Sequence, residues 1–538
     1  MQDIVGGSFS AFWRRTAVGR VSLRAAASRW SAFQSGSAVP ILAGLALLGA
    51  WADPSHAVDR YVEDQLLVKL NPGHTIEEVN DTWGTSTIDV FPEANLYLLD
   101  ASGLGDLEIL AEQMELDPAI LAAEPNFFED TPEGIRHMLV VAIGGEWVDY
   151  EDQEITERIG LDLAHQRSRG VGVTIGLIDS GVDPNHEALF GHLSRDGYDF
   201  VDNDAFPWEE SNGIDDDGDG IADEGYGHGT MVGGILALVA PGATILPIRV
   251  LDDEGRATAF QIAKAMRYAV DHGADILNCS FGVPEDIEMI DHEIDYAEDH
   301  DVAIIAGGGN ENRHHPVYFP ASDSKTMMVI AVDSMDVKAD FSDYNSKVLV
   351  SAPGTGVRSA FPGGEWGLAS GCSFAVPFVT GEAALILSRA PNLDPDDLED
   401  RIEDAVDPID HIPGNKPWDG DLGSGRIYLP DAVDNFPTVG VDDSSRESVH
   451  ALHAHPNPAT GSIRFTLPAG LELETSGDSI EAFIVDSAGR RVATPEMAGA
   501  EMVWNGRTSS GEPAAPGVYF ARVRSGQKEY STSVRIIR

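Results

Sequence analysis

Asp179, His228, Asn310 and Ser373 carry the functional groups of acyl transfer, and glycine stands beside or close to each. Asp179 ends the apolar run VTIGLID and leads into Ser180-Gly181. His228 lies in Gly227-His228-Gly229-Thr230 and opens an apolar helical stretch. Ser373 lies in Gly371-Cys372-Ser373-Phe374-Ala375 and opens another, running to Ser388. Asn310 ends the run AIIAGGGN. A serine hydroxyl is a poor nucleophile at neutral pH. It needs a base to take its proton, and the base needs a carboxylate to hold its tautomer. A helix start at Ser373 adds unpaired backbone N–H groups and a favourable dipole for a developing oxyanion. The Asn310 amide supplies a second donor of the kind an oxyanion needs. Singly, each segment also reads as an ordinary turn or a structural histidine. The order Asp, His, Asn, Ser, each after a strand or at a helix start, is the specific signal.

Such groups need a scaffold that brings distant segments together. From about 156 to 435, the apolar runs VGVTIGLI, ADILNCSF, DVAIIAG, MMVIAV and KVLVSAP alternate with helical stretches. That alternation predicts an α/β fold, a doubly wound and mainly parallel sheet covered on both faces. Ligands on such sheets bind beyond the carboxyl ends of the strands. Ser280, Phe281 and Gly282 follow one run and are expected to form an exposed edge that adds a peptide by main-chain pairing. The alternative is a buried strand end. Gly307, Gly308 and Gly309 end another run and are expected to form one wall of a pocket for a bound side chain, since glycine leaves room there.

The flanks differ in character. Residues 1–57 hold Arg14, Arg15, Arg20, Arg24 and Arg29 against Asp3, then the apolar stretch Val39–Trp51. That stretch is shorter than the ~20 residues of a membrane span. The pattern reads as a signal or targeting region, with Ala50-Trp51-Ala52 or Ser55-His56-Ala57 as cleavage site. An uncleaved anchor is the alternative. Residues 58–130 read as a small α+β unit: a strand at Asp64–Leu70, a helix over Leu104–Leu116 and a strand at Ile120–Phe128. Residues 131–155 read as an acidic connector and 436–450 as a polar linker. Residues 451–538 carry short alternating strands that predict a small β-sandwich.

The chain has 538 residues, 43% of them hydrophobic and 23% charged, which describes globular protein. At ~100–200 residues per domain it holds roughly three. A formal net charge of −54 repels phosphate backbones, so nucleic acid is excluded as a partner class. Two cysteines, Cys279 and Cys372, make no disulfide framework and read as small buried thiols. Residues 212–224, NGIDDDGDGIADE, place Asp215, Asp217 and Asp219 alternately before Gly220, with Asp223 beyond. Alternate oxygens around a glycine turn suit structural Ca²⁺. The match to an EF-hand loop is partial, because Tyr226 stands where that loop has Glu. A solvated acidic loop is the bland alternative.

Residues 156–435 resemble a subtilisin-family serine protease, a subtilase. Ile178-Asp179-Ser180-Gly181-Val182-Asp183 resembles the family's Asp segment, and Gly227-His228-Gly229-Thr230 its His segment. Asn278-Cys279-Ser280-Phe281-Gly282, Phe319-Pro320-Ala321, Phe341-Ser342-Asp343-Tyr344 and Ala352-Pro353-Gly354 match further segments in order. Pro377 and Gly381 match the helix after the nucleophile. The chain order Asp, His, Ser is that of subtilisin and not of common α/β-hydrolases. The resemblance implies Asp179 as orienter, His228 as general base and acid, Ser373 as nucleophile and Asn310 as oxyanion donor. Cys372 stands where the family usually has Thr, and Phe378 and Thr380 where His and Ala are common. The acidic insertion resembles calcium loops placed before the His segment in some subtilases.

Residues 58–130 resemble an inhibitory propeptide, with the cut expected between 130 and 155; a permanent accessory domain is the alternative. Pro456-Asn457-Pro458, Asp486-Ser487-Ala488-Gly489-Arg490, Trp504-Asn505-Gly506 and Gly517-Val518-Tyr519-Phe520 resemble FlgD-like, Ig-like sorting domains. Together these imply a monomeric serine endopeptidase, made as a self-processing zymogen that its own propeptide inhibits. Its substrates are polypeptides. It is secreted or attached to the cell surface by bacterial-type export, with export machinery as partner of the last domain. The competing reading is an inert peptide-binding protein on the same scaffold.

Overall fold

The computed structural model describes residues 61–130, 141–142, 147–218, 220–282, 286–314 and 318–434. It also describes 453–455, 463–466, 480–486, 490–498, 501–509, 511–515, 517–525 and 528–536. The expectations for 1–57, for a cut within 131–140 and for the linker 436–450 lie outside these residues.

Strands β1 (Tyr61–Leu70), β2 (Ser86–Phe91), β3 (Leu96–Asp100) and β4 (Ile120–Asp130) form an antiparallel sheet in the order β2-β3-β1-β4. Helices α1 (Ile76–Trp83) and α2 (Leu107–Met114) pack on it, and Leu66, Val68, Leu99, Leu107 and Met114 share the core between them. Helix α2 starts later than its apolar spacing suggests, because the Asp106 carboxylate accepts from Ile109 N at 3.2 Å and caps it.

Thirteen further strands follow up to residue 427. They are β5 (Val141–Ala142), β6 (Thr174–Asp179), β7 (Tyr198–Asp199), β8 (Thr244–Arg249), β9 (Arg256–Thr258), β10 (Ile276–Cys279) and β11 (Ala303–Gly307). Then come β12 (Thr326–Val332), β13 (Val348–Pro353), β14 (Val357–Phe361), β15 (Glu365–Ala369), β16 (Val406–Asp407) and β17 (Arg426–Ile427). Nine of them make one sheet in the order β16-β17-β13-β12-β11-β10-β6-β8-β7. It is parallel throughout except for the β16–β17 pair. Alternate side chains enter different cores, as the two-residue period of a strand requires. In β12, Met327, Val329 and Ala331 face one core, and Met328, Ile330 and Val332 the other. Of the covering helices α3 (His228–Val239), α4 (Ala259–Asp271), α5 (Glu288–Glu298) and α6 (Cys372–Arg389), α3 and α6 fill the first core. Helices α4 and α5 fill the second. This is the expected doubly wound, mainly parallel architecture.

The second core does not end at those helices. Leu67, Phe91, Leu96, Leu98 and Ala122, from the other face of the N-terminal sheet, belong to it. The sheet also continues across the junction, since β4 pairs antiparallel with β9, Phe128 opposite Thr258. The Glu124 carboxylate accepts from Glu288 N and Met289 N, each at 3.0 Å, and so caps α5. Asn126 Oδ1 accepts from Phe260 N at 3.2 Å near the start of α4. The small unit is thus docked through the starts of two helices.

The second half of the expected connector belongs to the large domain. Tyr150 and Ile155 lie in its first core, and the Tyr150 ring packs against Trp366 with centroids 4.9 Å apart. Aromatic packing there overrides the acidic, aperiodic look of the segment. At the other end of the chain, two four-stranded antiparallel sheets enclose Phe465, Ile484, Trp504 and Val523. This is the expected β-sandwich. Its strands His453–His455, Arg491–Ala493 and Glu496–Ala498 are too short for alternation to reveal them.

Burial pushes the Glu124 carboxyl up from 4.5 to about 7, against the two N–H bonds it accepts. A carboxyl raised in the fold weakens it as pH climbs from the unfolded value toward the folded one. The docked state should therefore lose stability between pH 4.5 and about 7. Glu124→Gln should remove that loss, roughly 3 kcal/mol at about 1.4 kcal/mol per unit. Thermal unfolding of both chains across that window, with Ser373→Ala to keep them intact, measures the difference.

Candidate active site

Asp179 is the last residue of β6 and His228 the first of α3. His228 Nδ1 lies 2.7 Å from Asp179 Oδ1, and both side chains are buried. A carboxylate there holds the proton on Nδ1 and leaves Nε2 as the basic nitrogen. Ser180 N also donates to Asp179 Oδ1, at 2.8 Å. The close approach of the two segments depends on Gly229: a Cβ on it would fall 2.1 Å from Gly181 O.

Ser373 is the second residue of α6. Its Oγ donates to Ser280 O at 3.2 Å, so it meets the segment beyond β10. Pro377 sits inside the same helix and has no N–H for the Ser373 carbonyl. Ser280 Oγ fills that vacancy, donating to Ser373 O at 3.0 Å. Behind it, Asn278 Nδ2 donates to Ser280 Oγ at 3.1 Å, and Thr380 Oγ1 donates to Asn278 Oδ1 at 2.9 Å. Thr380 therefore has a positional role that its departure from the family pattern did not disclose. Asn310 Oδ1 accepts from Cys372 N at 2.9 Å, which ties the amide to the start of α6. The Phe374 ring, next to Ser373, lies 5.2 Å from the His228 ring. Asp179, His228, Asn310 and Ser373 thus gather at the carboxyl rim of the sheet, each no more than 1% exposed.

Glu209 was not foreseen. Its carboxylate accepts from Ser180 Oγ (2.5 Å), Gly227 N (2.8 Å), Gly229 N (3.2 Å), Thr230 N (3.3 Å) and Thr230 Oγ1. It clamps the Asp segment to the start of α3. Burial raises its pKa to about 7 despite these donors. Nothing in Phe206-Pro207-Trp208-Glu209-Glu210 marks it, because its partners come from two other segments.

The segments expected to meet substrate are arranged differently from the expectation. Ser280, Phe281 and Gly282 are buried, not an exposed edge, because β10 is an internal strand flanked by β11 and β6. Gly307–Gly309 do line the end of β11, but a Cβ on Gly309 would lie 2.3 Å from the Tyr318 ring, so the expected room is filled. Cys279 and Cys372 are buried thiols with no disulfide, and Cys372 Sγ donates to Gly309 O at 3.0 Å.

The carboxylates that converge at the acidic loop coincide only in part with the expected set. Asp215 accepts from Gly218 N and Gly220 N, and Asp223 from Asn212 N and Gly213 N. Both carboxylates are engaged in shaping their own loop. Asp219 lies outside the described residues. The oxygens that converge, within 4.8 Å of one another, belong to Asp217, Glu224 and Glu254. Glu254 comes from the turn after β8, so loop spacing could not point to it. It is 3% exposed; Oε1 accepts from Asp216 N at 2.8 Å, while Oε2 is buried without a hydrogen-bond partner among the described residues. An all-oxygen cluster with a buried, unsatisfied carboxylate oxygen fits a hard cation.

Residues 170–428 match the subtilase family, and residues 52–126 match the fervidolysin N-terminal prodomain. A thermophilic serine proteinase of Bacillus sp. (strain AK1) is 30% identical over 355 residues, 63% of this chain and 81% of the relative. Thermitase of Thermoactinomyces vulgaris is 33% identical over 270 residues, 48% of this chain and 88% of the relative. The chain belongs to the subtilase family. This subtilase is a serine protease with an N-terminal prodomain, and its large domain has the subtilisin-like fold. Among solved structures it is similar to fervidolysin from Fervidobacterium pennivorans, a keratinolytic enzyme related to subtilisin. The TM-score is 0.56 at 19% identity, over 89% of this chain and 77% of that one, a likeness of fold.

Removing the Glu209 carboxylate strands several buried donors at once. In this subtilase, Glu209→Ala should cost roughly 3–5 kcal/mol in denaturant unfolding. Glu209→Gln, which keeps the volume and one acceptor oxygen, should cost clearly less.

Proposed function

We propose that this subtilase is a secreted endopeptidase, made as a self-processing zymogen, that cuts polypeptides through Asp179, His228 and Ser373. The observation that carries the reading is the buried 2.7 Å bond between His228 and Asp179 beside the helix start that holds Ser373. In the reaction, Nε2 of His228 takes the proton of Ser373 Oγ as that oxygen attacks the scissile carbonyl. The Oγ–H leaves its bond to Ser280 O for this step. Negative charge collects on the former carbonyl oxygen, between the Asn310 amide and the N–H of Ser373 at the start of α6. The imidazolium, stabilised by Asp179, then gives its proton to the leaving amine. Water repeats the sequence on the acyl-enzyme.

Residues 58–130 act as the inhibitory propeptide, with the cut between 130 and 155. Their docking on the second core supports a latent form. The basic, then apolar, region 1–57 supports export, and 451–538 serve as a sorting or attachment domain that engages export machinery. Ca²⁺, held by Asp217, Glu224 and Glu254, would neutralise the cluster and brace the loop that leads into Gly227-His228.

Ser373→Ala should abolish both peptide hydrolysis and self-processing while leaving the fold intact by circular dichroism. Persistent hydrolysis by the purified variant sinks the assignment. Substitution of Asn310 by Ala should lower kcat by about 10²–10³-fold, the scale known from subtilisin itself. Chelation of divalent ions should lower the unfolding temperature, and Glu254→Gln should erase the response to added Ca²⁺. A chain whose unfolding is indifferent to chelation would remove the cation from this account.

A further inference from the structure

We propose that Tyr318 closes the pocket for the residue before the cut bond and restricts this protease to glycine, alanine or serine there. The inference rests on the serine-protease reading of Ser373 and gives that site its substrate class. Two neighbouring parallel strands, β10 and β11, run side by side to the rim of the sheet. Their continuations, Ser280–Gly282 and Gly307–Gly309, frame the space next to the nucleophile, whose Oγ is bonded to Ser280 O. Glycine on both sides leaves a gap, and Tyr318 occupies it. A Cβ on Gly282 would lie 3.2 Å from Tyr318 Cβ. A Cβ on Gly309 would lie 2.3 Å from Tyr318 Cδ2 and 2.5 Å from Cε2. The ring therefore rests directly on the face of Gly309, and the residue is 2% exposed.

The ring is held where it is. Its hydroxyl is under the influence of the nearby Glu311 carboxylate, which pairs with Arg313 at 2.6 Å. Asp343 Oδ1 accepts from Glu311 N at 3.1 Å and from Arg313 N at 2.6 Å, and Asp343 N donates to Gly309 O at 3.0 Å. One aspartate thus ties the segment that anchors the tyrosine to the glycine wall it covers. Burial and the neighbouring carboxylates push the hydroxyl pKa up, so the ring stays neutral and seated. The acids do not make this a site for lysine or arginine. Glu311 already has a cationic partner, and the ring lies against Gly309, between that wall and any long side chain.

A tight apolar site discriminates by roughly 10–200-fold for a single methylene, so a phenyl group should be excluded at least as strongly. The test uses the processed enzyme and peptide substrates that differ only before the cut bond. Active-site titration with a fluorophosphonate normalises each preparation. The wild type should cleave after alanine about 10²-fold better, in kcat/KM, than after phenylalanine, lysine or arginine. Tyr318→Ala should raise the ratio of cleavage after phenylalanine to cleavage after alanine at least ~10-fold. Tyr318→Phe, which keeps the ring, should retain the wild-type preference. A wild type that titrates and prefers phenylalanine, lysine or arginine overturns the proposal, and that profile decides even if Tyr318→Ala does not fold. No titratable serine at all would instead overturn the catalytic reading on which it rests.

Discussion

A buried imidazole–carboxylate pair is the constraint around which the rest of this molecule is arranged. Taking an ion-forming pair out of water costs desolvation, which short contacts and surrounding hydrogen bonds must offset. The parallel sheet supplies the place, since β6 delivers Asp179 at its carboxyl end. Helix α3 then has to begin against that end, which only a glycine at 229 permits. Glu209 gathers the backbone N–H groups that the helix start would otherwise leave unpaired. On the other side of the site, Asn278, Ser280 and Thr380 form a polar chain through an otherwise apolar core, and it ends on the nucleophile's own carbonyl.

The prodomain is built into the packing of the large domain. Its sheet has two apolar faces, one on its own helices and one on α4 and α5. The large domain therefore shares its second core with a segment outside its own boundaries. Apolar burial scales with area, so formation of that core and docking of the small unit are favourable together. Capping of α5 by Glu124 adds direction to this otherwise non-directional attraction.

Much of this was legible in the sequence because it is local. Apolar runs of four to seven residues mark the inner strands, and glycine beside Asp179, His228 and Ser373 marks the sharp turns of the rim. What escaped is the set of contacts made across long separations. Glu209 looks like a loop acid until Ser180 and Thr230 are brought to it. Glu254 sits in a turn far from the loop whose carboxylates it joins, while Asp215 and Asp223, conspicuous by spacing, are engaged by backbone N–H groups. The glycine run 307–309 reads as open space, because no pattern along the chain reports that an aromatic ring from another segment occupies it.

Pro377 shows how far such a coupling reaches. A proline within a helix ordinarily abandons a carbonyl, and here the hydroxyl of Ser280 adopts it. The side chains at 280 and 377 never need to touch, yet each makes the other tolerable. Residue choice at the two sites is therefore non-additive: a hydroxyl is dispensable at 280 only where position 377 offers its own amide, and the imino ring is welcome at 377 only beside an alcohol.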